Sequence, residues 1–254
     1  HARCSRDWSS DVCSSDLDQL ALSAVNSINW ARIAAQVVYY AAAALALGAP
    51  TRKVAFTVPT GNFGNVYAGN AARLMGLPIA RMVVASNRND ILYRMLKSDD
   101  MSVAPVEPSL SPSMDIQVSS NFERLLFDLV GRNGKATAAL LTEFRTTGRL
   151  RLGKARWQKL RATFEGARAD DDETIAAIKD AHGAIGELVD PHTAVGLAAA
   201  RACRGDRAIP MVTLATAHPA KFPDAVERAT GVRPQLPPDR KSTRLNSSHG
   251  YISY

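Results

Sequence analysis

The stretch Pro59-Thr60-Gly61-Asn62-Phe63-Gly64-Asn65 constrains this chain more than any other. It lies between a β-branched run at residues 53–58 and an apolar-periodic run at residues 66–75, so it reads as the turn from a strand into a helix. Glycine allows backbone conformations closed to other residues, so successive N–H groups can converge on one point. The helix that follows adds its own free N–H groups and the positive end of its dipole. Such a turn can be a cup for a phosphate monoester, or a tight turn that binds nothing, and the pattern by itself does not separate the two. The Gly-x-x-Gly spacing excludes the Gly-x-Gly-x-x-Gly dinucleotide fingerprint, and no Gly-Lys-Ser/Thr follows as a P-loop requires.

Around this turn the pattern alternates. A helix is expected over residues 31–47, a strand over 81–85 and a helix over 90–97. Residues 101–113, with three prolines, read as loop. Ser120-Asn121-Phe122-Glu123 reads as a capping box that opens a helix to residue 130. Residues 136–181 read as a helical insertion with no strand. Asp190-Pro191 supplies an N-cap and first-turn proline for a helix to residue 202, followed by a strand at 210–215 and a helix at 219–229. Strands alternating with helices of this length predict an α/β fold, a parallel sheet with crossover helices. A sheet whose last strand is residues 211–215 can take partners from outside this chain.

The 254 residues carry a net charge of +7, which raises the question of nucleic acid. The basic residues stand singly beside acidic ones on expected helices, and the densest group, residues 149–161, has no aromatic other than Trp157. An enzyme that handles small anions fits better than a nucleic-acid partner. Residues 1–17 and 240–254 are Ser-rich, aperiodic and similar to translated adapter sequence, so they are expected to be non-native flanks around a native region at 18–239. Cys4 and Cys13 fall in the first flank, leaving Cys203, so neither a zinc site nor a disulfide is expected and a reducing cytoplasm is. Residues 33–51 lack charge but are rich in alanine, include Gln36 and carry Gly48-Ala49-Pro50 near their end, which predicts a buried helix rather than a membrane span.

Five blocks occur in an order that resembles threonine synthases: NSINWARI from Asn26, PTGNFGN, SPSMDIQVSSNFERLLFDL from Ser111, DPHTAVG from Asp190 and TLATAHPAKFPDAV from Thr213. The resemblance implies a pyridoxal 5'-phosphate (PLP) enzyme of the tryptophan-synthase β-subunit class (fold type II) that converts O-phosphohomoserine and water to threonine and phosphate. It assigns the PLP phosphate to Gly61, Asn62, Phe63, Gly64 and Asn65, and the pyridine nitrogen to the hydroxyl of Thr216. It assigns the substrate phosphate to Asn26, Ser27 and Arg32, with Asn65 contributing. Guanidinium suits that task because it offers phosphate a planar, permanently charged, bidentate partner. Read without the resemblance, Thr216 is a strand-end threonine, and residues 26–32 are a helix start with a solvated arginine.

The resemblance places the lysine that anchors PLP in a Lys-Asp segment N-terminal to Asn26. None of Lys53, Lys97, Lys135, Lys154, Lys159, Lys179, Lys221 and Lys241 stands in that context, so the chain is expected to be a C-terminal part without its covalent anchor. His192 and His218 have no acid–base partner at motif spacing, and His192 reads as structural. Asp115 and Glu123 read as loop and cap residues. Two other readings stay open: a non-catalytic phosphate-ester binding domain, and another PLP lyase of the same fold, such as a threonine dehydratase, which needs no clamp for a substrate phosphate.

Overall fold

The computed structural model describes residues 27–236; Asn26 and the expected flanks lie outside the described residues. Helix α1 (Trp30–Ala46) leads to strand β1 (Val54–Pro59), helix α2 (Gly64–Leu74), strand β2 (Ile79–Ser86) and helix α3 (Ile91–Ser98). Strand β3 (Met101–Ser102) and a 3-10 turn at Pro112–Met114 precede helices α4 (Phe122–Leu129) and α5 (Gly134–Thr147). Then come strand β4 (Arg149–Leu150), helix α6 (Lys154–Arg161), strand β5 (Phe164–Arg168) and helices α7 (Asp171–Ile185) and α8 (Pro191–Ala202). Strand β6 (Met211–Thr213), a 3-10 turn at Pro219–Lys221 and helix α9 (Pro223–Thr230) follow.

The main sheet has the order β5-β2-β1-β6 and every pairing in it is parallel. Its centre is β1, buried at all positions, which explains why VAFTVP is apolar throughout instead of alternating. Phe56, Val58, Met82 and Val84 pack on one face with Ile33 and Tyr40 of α1 and Val66 and Ala68 of α2. Val83 and Ala85 pack on the other with Val195 and Ala199 of α8. Full burial contributes about 1.5–3 kcal/mol for each large apolar side chain, so these two faces dominate the stability of the centre. β3 and β4 form a separate antiparallel pair.

Three expectations need correction. Residues 136–181 are not purely helical, because Phe164–Arg168 forms β5 and extends the main sheet beside β2. FEGAR carries no β-branched residue, so nothing local announces it. Gly166 serves there as a space for α3, since a Cβ would lie 3.1 Å from Leu96 Cβ and 3.3 Å from Tyr93 Cα. Ser120–Glu123 forms no capping box: Asn121 is the N-cap residue and makes no side-chain cap bond, because its amide is turned onto the carbonyls of Ser27 and Asn62. A capping box does form at Asp170 and Glu173, at the start of α7. Finally, α1 is not a buried helix. It buries Ile33, Tyr40 and Ala44, while Val38 and Leu45 are 60% and 61% exposed on its other face. Among the described residues no helix is long and apolar enough to cross a membrane.

Candidate functional site

The turn from β1 into α2 lies at the C-terminal edge of the central parallel strand, where open α/β sheets place their ligand crevice. Phe63 is the N-cap of α2 and takes the left-handed conformation, with φ of 62°. A residue with a Cβ pays about 1–2 kcal/mol for this. Its ring offsets the cost by burial, meeting Phe122 edge-on at 5.4 Å and Phe164 at 6.2 Å. The glycines do a different job from the conformational one their type suggests. A Cβ on Gly61 would lie 2.5 Å from the Ser113 carbonyl oxygen, and one on Gly64 would lie 3.3 Å from Asn121 Nδ2. Both let neighbouring chain come close.

Carbonyls around the turn are tied outward. Ser119 Oγ donates to the Gly61 carbonyl at 2.9 Å, and Asn121 donates to the Asn62 carbonyl from both its N–H and Nδ2, each at 3.0 Å. The Phe63 carbonyl takes the N–H of Tyr67 at 2.9 Å, and Tyr40 donates its hydroxyl to the Asn65 carbonyl at 2.7 Å. In a trans peptide the carbonyl and the next N–H point in opposite directions. Fixing the carbonyls of Gly61, Asn62, Phe63 and Asn65 therefore turns the N–H groups of Asn62, Phe63, Gly64 and Val66 the other way. Among the described residues, no group accepts a hydrogen bond from any of the six successive N–H groups from Gly61 to Val66.

These residues line a cavity of about 140 Å³ with Ser27, Arg32 and Gln36 of the α1 segment. A single water needs about 10–15 Å³ measured this way, so the space admits a tetrahedral oxyanion. The Arg32 side chain makes no hydrogen bond or ion pair with any described residue, and no carboxylate lines the cavity. The Asn65 carboxamide oxygen is buried without a partner; rotation of the amide brings its NH2 to the same place. Unpaired N–H groups, a free guanidinium and the N-terminus of α2 together offer donors and positive charge that suit a dianion.

The structure thus brings Ser27, Arg32, Gly61, Asn62, Phe63, Gly64 and Asn65 to one cavity. Thr216 is exposed and stands beyond the C-terminal end of β6, which pairs with β1, so it shares that sheet edge without lining the cavity. Sequence reasoning missed Tyr40, Ser119 and Asn121, whose roles depend on long-range contacts. No lysine lines the cavity. Among the described residues no cluster of His, Cys, Asp and Glu could hold a metal. Burial and then the Glu165 carboxylate push the Cys203 thiol up to about 11, which keeps it protonated and inert.

Comparison with known proteins bears on the family and the fold. The family model "Threonine synthase, C-terminal" matches residues 193–244. Threonine synthase of Pseudomonas aeruginosa is 58% identical over 217 residues, covering 85% of this chain and 46% of the relative. A PLP-bound threonine synthase from Brucella melitensis superposes with a TM-score of 0.86 at 50% identity, covering 90% of this chain and 49% of that one. The yeast enzyme superposes with a TM-score of 0.80 at 38% identity, covering 87% and 49%. The chain spans about half the length of the curated relatives it matches. By sequence and by fold, the chain matches about half of a threonine synthase, and residues 193–244 match that family's C-terminal region.

Proposed function

We propose that the Gly61–Asn65 turn holds the phosphate of PLP, and that the chain supplies part of a site converting O-phosphohomoserine and water to threonine and phosphate. The observation that carries this is the run of six unpaired N–H groups in residues that line one cavity. Similarity to threonine synthases and a PLP-bound relative at 50% identity support it. The residues suit the cofactor, since the cavity offers donors throughout its polar rim and no carboxylate to repel phosphate.

When bound, PLP supplies an electron sink for the substrate's reacting carbons. The chain's own residues bind and orient. The N–H groups of Gly61, Asn62, Phe63, Gly64 and Asn65 take the cofactor phosphate. Thr216 would offer its hydroxyl to the ring nitrogen. Arg32 grips the substrate phosphate bidentately, with Asn26, Ser27 and Asn65 completing the shell. Proton transfers at the substrate carbons fall to a lysine N-terminal to Asn26 in a full-length threonine synthase. A cytoplasmic site of action goes with the free thiol of Cys203.

Two measurements test this. Calorimetric titration with PLP is expected to give one site per chain, and absence of binding would remove the cofactor cup. Co-purification with the N-terminal half of a threonine synthase is expected to restore phosphate release from O-phosphohomoserine. A reconstituted protein that binds PLP but releases no phosphate would overturn the substrate assignment.

A further inference from the structure

We infer that His192 is a positioning residue for the phosphate cup, acting through the backbone of Ser113; this rests on the reading of Gly61–Asn65 as an anion site. His192 is buried, 3% exposed, and does not line the cavity. Both of its nitrogens are engaged. The N–H of Ser113 approaches Nε2 at 3.2 Å, and a backbone N–H can only donate, so Nε2 carries no proton and Nδ1 does. Nδ1 then donates to Asp190 Oδ2 at 2.8 Å. Asp190 is itself fully buried and fixed by the N–H groups of His192 and Thr193 and by the Thr193 hydroxyl. Carboxylate, tautomer and acceptor direction are therefore set in one line, as in the outer shells that orient metal-binding histidines.

Ser113 transmits this to the cup. Its N–H faces His192, and its carbonyl oxygen occupies the place where a Cβ on Gly61 would stand, 2.5 Å away. The position of that carbonyl limits where the Gly61 backbone can lie, and so where the first N–H groups of the cup aim. The His192 ring also packs on Phe222, with centroids 4.7 Å apart, in the block that carries Thr216. One imidazole thus ties the start of α8, the Pro112–Met114 turn and the segment after β6 to the back of the phosphate turn.

The test uses three variants of the full chain. His192→Asn keeps a donor for Asp190 and falls short of Ser113. His192→Gln can return an acceptor near the position of Nε2. His192→Phe keeps the ring against Phe222 and loses both polar contacts, and serves if the asparagine variant does not fold. Amide nitrogen–proton spectra of the free chain are expected to show the Ser113, Gly61 and Asn62 signals displaced in His192→Asn and returned in His192→Gln. PLP affinity is expected to fall about tenfold in the first and recover in the second. Unmoved Gly61 and Asn62 signals with unchanged PLP affinity in a folded His192→Asn would overturn the role. If the signals move and recover while wild type binds neither PLP nor inorganic phosphate, the anion-site reading fails and the positioning of the turn by His192 stands.

Discussion

Tyr40 donates its hydroxyl to the carbonyl of Asn65 at 2.7 Å from a position with no exposed surface. The contact links α1, which brings Arg32, to the first turn of α2, which brings the N–H groups. Gly69 makes room for it, because a Cβ there would lie 2.6 Å from the Tyr40 ring. Burial holds the phenol well above its ordinary value. Since the folded-state pKa is raised, Tyr40 stabilises the fold fully below the ordinary phenol range, and that contribution is lost as pH rises beyond it. Tyr40→Phe is expected to cost about 0.5–1.5 kcal/mol at neutral pH. It should also remove one proton's share of the alkaline destabilisation, about 1.4 kcal/mol per pH unit. Urea midpoints measured from about pH 9 to pH 11 give both numbers, and parallel alkaline slopes for the two proteins would contradict this account.

The two glycines of the cup are expected to differ sharply. Gly61→Ala drives a methyl into the Ser113 carbonyl, where backbone must shift, at a cost of about 1–3 kcal/mol. Gly64→Ala meets the end of the Asn121 side chain, which can give by a few tenths of an ångström, and should change stability by less than about 1 kcal/mol. Thermal melts and PLP titrations of both variants distinguish them. Equal losses would mean that conformational freedom, not space, is what position 61 requires.

Much of this was legible in the sequence, and the exceptions share a cause. The strand–turn–helix around Gly61 was legible because β1 is a continuous apolar run and α2 follows it with a helical period. Asp190-Pro191 was legible because a cap is a local interaction, and Asp190 does accept the N–H groups of His192 and Thr193. β5 was not, because Phe164–Arg168 becomes a strand only by pairing with β2, far earlier in the chain. The false capping box has the same origin: Asn121 has a local pattern but serves Ser27 and Asn62. In the turn itself, residue type suggested that a glycine takes the left-handed conformation. The core chose Phe63, because the buried aromatic cluster with Phe122 and Phe164 holds it there.

Asp190 carries a prediction at acid pH. Burial alone would raise its carboxyl, but hydrogen bonds from His192 and Thr193 outweigh burial and hold it below the ordinary carboxylate value. A lowered folded-state pKa stabilises above the ordinary value, and the contribution is lost as pH falls through the lower one. Asp190→Asn turns an NH2 toward groups that all donate, so it should cost about 1–3 kcal/mol at neutral pH. Its acid unfolding limb should be flatter than that of wild type. Chemical denaturation from neutral pH to about pH 3 checks the sign, and a steeper limb in the variant would refute it.

Arg32 is placed for a ligand at some expense to the fold. It stands in the first turn of α1, where no acidic residue balances it and where the helix dipole disfavours a cation by about 0.3–1 kcal/mol. Its side chain gains no hydrogen bond or ion pair among the described residues, and the first residues of α2 line the same cavity. Arg32→Ala is therefore expected to leave the free chain as stable as wild type, or more stable by up to about 0.5 kcal/mol. Anions should reverse the order. A ligand that binds only the folded chain raises stability by RT ln(1 + [L]/Kd), about 2.7 kcal/mol at a hundredfold excess over Kd. Inorganic phosphate should then raise the melting temperature of wild type more than that of Arg32→Ala. Arg32→Lys should fall between them, since it keeps the charge and loses the bidentate fork. Sodium sulfate and chloride at matched ionic strength separate recognition of a tetrahedral dianion from general screening. If Arg32→Ala is destabilised without any anion, the guanidinium has a structural partner outside the described residues and its place in the substrate shell falls.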